Sequence, residues 1–273
     1  MSIPLQDILP ITSPKDYKIH LASWNTLYQP LDVFVRDREE WKEWNTYRSK
    51  RDDFNRRYIF SLIDFYPERD IWLFGGVFEV LSRSPEPRAH SYEVQLTPTA
   101  KEFIGRLKLH FKRPSRGRAI RLETYYPELR VTELLREPYS GEAFCGYENI
   151  NHDFSTLEPI FKSDRPDWKA ALGSVKGVYL ITDKSNGKRY VGSAYGDDGI
   201  WARWTCYMET GHGHNDDLTR VIQEKSLAYA RKNFRFALLE YRPARTDDHI
   251  VLEREAYWKE ALLSRGKFGY NKN

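Results

Sequence analysis

The sequence predicts an α+β protein in two parts: a β-rich first part carrying one long helix, and a last hundred residues with a small three-stranded antiparallel sheet flanked by helices. Three observations carry this. Aromatic and aliphatic residues recur at roughly helical spacing from Asp37 to Phe65. Runs of period two follow between Trp72 and Lys112. After Gly177 the pattern reads strand, turn, strand, helix, helix, strand, helix.

In the long helix Trp41, Trp44, Tyr47, Phe54, Tyr58, Leu62 and Phe65 form the apolar side, and Arg and Lys fill the other. The stretch Trp72–Val80 is apolar on both faces, as in a central strand. Tyr92–Leu96 alternates. From Phe103 to Lys112 the alternation places Phe103, Gly105, Leu107, Leu109 and Phe111 on one face and Arg106, Lys108 and Lys112 on the other. Between Arg106 and Arg121 there are seven Lys or Arg and no Asp or Glu. Pro138, Gly141, Gly146, Pro159 and Pro166 punctuate the next stretch. The expected division is therefore residues 1–137 as a first domain, 138–173 as a connector and 174–273 as a last domain. The connector carries Phe144, Tyr147, Phe154, Phe161 and Trp168, so it is expected to pack rather than hang free.

In the last domain Gly177–Thr182 is a strand, Asp183–Gly187 a hairpin turn with Asn186-Gly187 tolerating positive φ, and Lys188–Gly192 the return strand. Helices are expected over Ile200–Met208, Asp217–Lys232 and Ile250–Leu263, with a strand at Phe234–Glu240. Any odd register sum across the hairpin leaves Tyr179 and Tyr190 on one sheet face. Arg203 and Tyr207 lie four apart on a helix, and Glu255 shares a face with Leu252, Ala256 and Leu262. A guanidinium and a carboxylate facing a two-tyrosine sheet make a polar pocket.

Composition narrows the options less. The chain has 273 residues, enough for two cores, with 43 Lys plus Arg against 39 Asp plus Glu. The resulting net charge of +4 does not by itself argue for nucleic acid, so the basic run matters more. Cys145 and Cys206 have no metal spacing and read as two reduced thiols, with a disulfide between them the alternative. With no long apolar run and no signal-like start, the expected location is the cytoplasm, away from membranes.

Over about residues 174–273 the chain resembles the GIY-YIG nuclease family. Gly177-Val178-Tyr179 and Tyr190-Val191-Gly192 match its two opening motifs with Val for Ile. Arg203, Glu255 and the near-terminal Asn271 match the helical arginine, metal-binding glutamate and terminal asparagine, and Tyr207 stands where members carry His or Tyr. The resemblance implies a DNA endonuclease that hydrolyses phosphodiester bonds with one Mg²⁺ (or Mn²⁺) per site held by Glu255. It implies that Arg203 grips the phosphate, Tyr179 activates water with help from Lys188 or Arg189, Tyr190 assists, Tyr207 stands near the attacking water and Asn271 orients substrate or Glu255. The stretch Tyr195–Gly199 is an insertion relative to the family. A histidine here, His214, contacts phosphate on the same analogy; the pair His212 and His214 otherwise reads as a solvated loop.

The stretch Trp72–Val80 also resembles strands of PUA-like barrels, which read nucleic acids and modified bases. That implies cage walls among Trp24, Tyr28, Trp72, Phe74, Tyr125 and Tyr126, with Arg106, Lys108, Lys112, Arg113, Arg116 and Arg118 on phosphates. The expected function is restriction of foreign DNA (phage defence), including DNA with modified bases. Double-stranded DNA is the partner, with a homodimer formed on it. The rival readings are a structure-specific repair or recombination nuclease, an inactive nucleic-acid binding protein, and an Arg203–Glu255 ion pair that serves stability only.

Overall fold

The computed structural model describes residues 2–88, 90–196 and 198–272. The chain is mixed α+β and divides between Tyr139 and Ser140 into two units, each with its own sheet and core.

The first unit runs β1 (Ile3–Pro4), α1 (Leu5–Ile8), β2 (Tyr17–Ala22), α2 (Pro30–Arg36), α3 (Arg38–Glu43), β3 (Tyr58–Asp64), β4 (Ile71–Arg83), β5 (Tyr92–Leu96), β6 (Leu107–His110), β7 (Ala119–Arg121), α4 (Leu122–Tyr125) and β8 (Arg130–Leu134). Its sheet follows the order β1-β8-β6-β4-β3-β2-β7, with β5 also paired to β4; among the described residues β1 and β7 are free ends. Both faces are buried. One carries Phe60, Leu62, Phe74 and Leu107, and the other carries Ile59, Ile63, Leu73 and Phe78 under Phe34 and Trp41. That two-sided burial is why β3 and β4 read as unbroken apolar runs.

The single helix expected over Asp37–Phe65 does not form. Asp37 is extended (φ −156°) and caps α3, its carboxylate accepting from the backbone N–H of Glu39 and Glu40. Tyr58–Asp64 is a strand, parallel to β2 and antiparallel to β4. Phe54, Tyr58 and Leu62 are spaced by four, which is close to one helical turn and also twice the strand repeat. Ile59 and Ile63, β-branched and buried on the other face, favour the strand.

The basic alternation is also shorter than expected. Only Leu107–His110 is strand, preceded by a 3₁₀ turn at Lys101–Phe103. Lys108 is buried, stands 4.3 Å over the Phe65 ring and meets Glu68 at 2.6 Å and Glu133 at 2.8 Å. Arg106 donates to the carbonyls of Leu135 (2.8 Å) and Glu102 (3.1 Å). These two cations hold the first unit together, so they do not form the phosphate-binding stripe that was expected.

The second unit runs β9 (Asn151–Asp153), α5 (Phe154–Lys162), α6 (Pro166–Gly173), β10 (Val175–Asp183), β11 (Arg189–Ala194), α7 (Gly199–Thr210), α8 (Asp216–Lys225), α9 (Leu227–Asn233), β12 (Phe234–Pro243) and α10 (Asp248–Ala261). Its sheet has four strands, β11-β10-β12-β9, rather than three. The extra strand comes from the stretch expected as a connector. Phe154, Leu157, Ile160, Trp168 and Leu172 from α5 and α6 are fully buried in the core beneath α7. Glu158 is likewise buried, gripped at 2.8 Å through both oxygens by Arg231. The other sheet face is covered by α10, with Val251 and Trp258 on Val178 and Val191.

His20, on β2, is buried, and burial lowers its pKa to about 3. An unfolded imidazole titrates near ~6.5. Between those values the unfolded chain holds more protons than the folded one, so His20 takes stability away as pH falls through that window. Urea unfolding of the first unit at pH 6.5 and pH 4.5 should show a smaller loss for His20→Gln than for the parent. An equal loss in both proteins contradicts this.

Candidate active site

The site is built on the hairpin β10–β11. Its turn is knotted by Asp183, whose carboxylate accepts from the Ser185 N–H (3.0 Å) and hydroxyl (2.7 Å), the Asn186 amide (3.1 Å), and the hydroxyls of Tyr229 (2.8 Å) and Tyr270 (2.7 Å). Burial works against the Asp183 charge, but these hydrogen bonds hold its carboxyl below the usual range. Gly187 completes the turn at φ +76°.

The register pairs Tyr179 with Gly192 and Ile181 with Tyr190, so both phenols lie on one face, as the odd register sum requires. Glycine at 192 is what makes room for them. A Cβ there would stand 2.5 Å from the Tyr179 hydroxyl and 2.8 Å from the Tyr190 ring. Gly177 has a different reason: a Cβ would lie 2.3 Å from the Glu240 carbonyl on β12, beside the bulge at Val178/Tyr179. Each motif glycine is thus a close-approach position.

Helix α7 lies over the tyrosine face. The Arg203 guanidinium donates through Nε to the Tyr179 hydroxyl (3.0 Å), through Nη2 to Tyr207 (3.1 Å) and through Nη1 to the Gly213 carbonyl (2.7 Å). The Tyr179 hydroxyl in turn donates to Tyr207 at 3.2 Å. Tyr179 and Tyr207 are fully buried. Burial pushes both phenols above their ordinary values, Tyr190 adding to this and Arg203 opposing it. They are therefore neutral posts that hold Arg203, and neither fits an approach to water: the water-activating role expected of Tyr179 has no access here. Tyr190 borders the cleft, and its hydroxyl has no protein partner among the described residues.

Glu255 reaches the same cleft by another route. Its helix α10 packs on the opposite sheet face, and the carboxylate meets the Ser193 hydroxyl of β11 and the Lys259 ammonium (2.8 Å). The buried side of α10 is Val251, Trp258 and Leu262, while Leu252 and Ala256 line the cleft rather than the core that was expected. Arg203 and Glu255 converge from two faces around the edge strand β11, in a cleft of about 820 Å³ that Tyr190, Ser193, Asp198, Cys206 and Lys259 also line. The carboxylate pairs with Lys259, not Arg203, so the stability-only reading of an Arg203–Glu255 pair is not what forms. Cys206 and Cys145 are free thiols. Of the expected insertion at 195–199, Tyr195, Gly196, Asp198 and Gly199 border the cleft; Asp197 lies outside the described residues.

Other expected site residues stand elsewhere. Asn271 is buried, and its amide accepts from the Val191 N–H and donates to the Val191 carbonyl, both at 2.8 Å. Together with the Tyr270 N–H on the Arg189 carbonyl (2.8 Å), it closes the first half of the β11 edge. Its amide is bonded to the Val191 backbone, and Glu255 is met by Ser193 and Lys259 instead, so the expected orienting of Glu255 by Asn271 is not seen. Lys188 stands 5.4 Å over the Tyr270 ring. His214 is exposed at φ +59°, its N–H donating to His212 Nδ1 (3.0 Å). In the first unit Arg113, Arg116 and Arg118 line a second cavity with Trp24 and Tyr28, while Lys112 is exposed apart from it. Trp72, Phe74 and Tyr126 are core, and Tyr125 packs on that core. Ser193 and Lys259 were not expected. The i, i+4 spacing from Glu255 marks Lys259 in the sequence, whereas nothing local marks Ser193.

The donor set suits one small divalent cation. Among the described residues no group of three or more His, Cys, Asp or Glu is placed to hold a metal ion by itself. Mg²⁺ commonly binds through one or two carboxylates, with phosphate oxygens and water completing its shell, and Glu255 on an open polar cleft that Asp198 also lines meets that pattern.

No protein-family profile matches the chain, and no curated protein matches it. Two solved structures do. The chain is similar to the catalytic domain of the homing endonuclease I-TevI at 30% identity, over 36% of this chain and 98% of that one, with a TM-score of 0.28. It is likewise similar to an alanine mutant of the catalytic domain of intron endonuclease I-TevI at 28% identity, over 36% of this chain and 94% of that one, with a TM-score of 0.28.

Two substitutions separate scaffold from chemistry. Asn271→Asp removes the donor to the Val191 carbonyl and sets oxygen against oxygen, and should cost about 1–3 kcal/mol in denaturant unfolding. Gly192→Ala should cost about 1–3 kcal/mol by overpacking the two phenols. Unchanged unfolding midpoints would contradict these placements.

Proposed function

We propose that the second unit is an endonuclease of the GIY-YIG type that hydrolyses phosphodiester bonds in DNA with one Mg²⁺ or Mn²⁺ held at Glu255. The observation that carries this is the convergence of Arg203, Tyr190 and Glu255 on one cleft around the β11 edge. The motif match in the sequence and the likeness to I-TevI catalytic domains point the same way.

Arg203 supplies fixed positive charge. Three of its nitrogens are tied to Tyr179, Tyr207 and Gly213, and its remaining N–H groups are left for a phosphate oxygen. A donor anchored in this way stabilises charge that develops on phosphorus oxygens without reorganising. Glu255 holds the cation, with Ser193 fixing the carboxylate's rotamer. When bound, the cation lowers the pKa of water and balances charge on the phosphate. Tyr190 presents a hydroxyl that positions the attacking water. Lys259 competes with the cation for Glu255, so substrate and cation binding must displace its ammonium.

One such site cuts one strand per visit; restriction of a duplex then takes two visits or a second copy of the chain. The restriction role is our reading for a chain in which the first unit would read DNA and the second would cut it.

Plasmid incubated with Mg²⁺ should be nicked first and linearised later. Glu255→Gln should abolish cutting while retaining DNA binding, and Arg203→Ala should slow cutting by about 10²–10³-fold. A protein that cuts no DNA, or Glu255→Gln cutting at the parental rate, would overturn the assignment. Lys259→Met should lower the Mg²⁺ needed for half-maximal rate by roughly 2- to 5-fold, as removal of one partly exposed ion pair implies. A higher Mg²⁺ requirement would show instead that Lys259 contacts substrate.

A further inference from the structure

The first unit contains a cavity of about 650 Å³ between the end of β2, α3 and the 113–118 segment. Its walls are aromatic. Trp24 is 59% exposed and Tyr47 46% exposed, while Tyr28 and Trp44 are half-buried. No ring of the protein stacks on Trp24 among the described residues, so a large indole face is left in water at the mouth. Its rim is basic. Arg113 is braced by the Ser23 hydroxyl (3.1 Å) and the carbonyls of Arg116 (2.8 Å) and Gly117 (3.0 Å), and its Nε is buried without a partner. Arg118 donates to the Tyr47 carbonyl (2.8 Å) and stands 5.0 Å over that ring, fixing the wall. Arg116 is exposed, and its guanidinium meets no protein group among the described residues.

The wall contributed by β2 holds an oriented acceptor. Asn45 is fully buried; its Nδ2 donates to the Trp41 carbonyl (3.3 Å), so its Oδ1 accepts from the Ser61 hydroxyl (2.8 Å) and from His20 Nδ1 (2.9 Å). The proton of the neutral imidazole therefore sits on Nδ1, which leaves Nε2 as an acceptor with no protein partner among the described residues. His20 lines the cavity.

Flat aromatic walls, an acceptor for an N–H group and a cationic rim describe a planar, N–H-bearing ring carried on an anionic backbone. We propose that this cavity receives one unstacked nucleobase of the DNA, with His20 Nε2 accepting from the base, Trp24 and Tyr47 covering its face and Arg116 on the flanking phosphate. A cationic ligand is disfavoured because three arginines outnumber Glu40 and Glu43 in the lining and Glu40 is paired with Arg36, and a bare phosphate leaves the four rings without use. Choosing DNA as the polymer rests on the nuclease reading of the second unit. Reading a base outside the stack costs least where the base is already mismatched or altered, which makes the cavity a selector of such sites.

The test uses the full chain carrying Glu255→Gln, so that nothing is cut. The probes are short duplexes with one mismatched nucleotide, either a plain base or a 5-methyl- or 5-hydroxymethylcytosine, and the same duplex with an abasic site at that position. At least one base-bearing probe should quench tryptophan fluorescence and bind about 5- to 100-fold tighter than the abasic duplex, the range expected for a single base stacked on an aromatic side chain. Trp24→Ala should erase that preference and keep salt-sensitive binding. Tyr47→Ala, also at an exposed position, should reduce it, and Arg116→Ala should weaken both kinds of probe alike. Equal binding of base-bearing and abasic duplexes, or a preference that survives both aromatic substitutions, overturns the inference. Cutting by the parent chain, measured alongside with Mg²⁺, separates the two readings: cutting without a base preference sinks the pocket alone, and a base preference without cutting sinks the nuclease alone.

Discussion

The second unit depends on a guanidinium held from beneath by two buried phenols. Burial works against a charge on Arg203, and the hydroxyl oxygens of Tyr179 and Tyr207, which accept from its N–H groups, favour that charge at the wall of a cleft. Much of the surrounding sequence serves that arrangement. Gly192 leaves space for the Tyr179 hydroxyl, Trp204 and Phe236 wall in the two rings edge-on, and the Gly213 carbonyl takes the third donor. A hydroxyl that accepts from a fixed arginine and stays neutral is a positioning group; the phenol of the hairpin that lines the cleft is Tyr190.

The second constraint is the edge of β11. An edge strand presents unpaired backbone groups, and this one is treated in two ways along its length. Its first half is closed by the chain's last residues, through Asn271 on Val191 and Tyr270 on Arg189. Its second half is left open, and there α7 from one sheet face and α10 from the other present Arg203 and Glu255 to a common space. The asparagine at the end of the motif set therefore has a mechanical explanation: it is a side chain doing the work of a neighbouring strand.

The second unit was legible in the sequence because its signals were local. Asn186-Gly187 marks the hairpin turn, the odd register sum puts Tyr179 and Tyr190 on one face, and the Arg203-to-Tyr207 spacing puts both on one side of α7. What could not be read was long-range. Ser193 meets Glu255 across sixty-two residues, Asn271 meets Val191 across eighty, and the delivery of Glu255 from the opposite face follows from how α10 packs. In the first unit the spacing of Phe54, Tyr58 and Leu62 fitted both periods, and only pairing with β2 and β4 chose the strand. Lys108 read as a solvent-facing cation because its partners Glu68 and Glu133 lie on other strands and turns. Trp24 and Tyr28 were separable from Trp72 and Phe74 only by burial.

The central claim is that Arg203 and Glu255 address the same phosphate, one directly and one through a divalent ion. Electron paramagnetic resonance of Mn²⁺ titrated into the protein with a cleavage-resistant phosphorothioate duplex tests it directly. The account predicts one bound Mn²⁺ per chain, lost in Glu255→Gln and kept in Arg203→Ala, with duplex binding weakened in the latter. Mn²⁺ bound equally well by Glu255→Gln, or in the same amount without the duplex and unaffected by adding it, would contradict the claim.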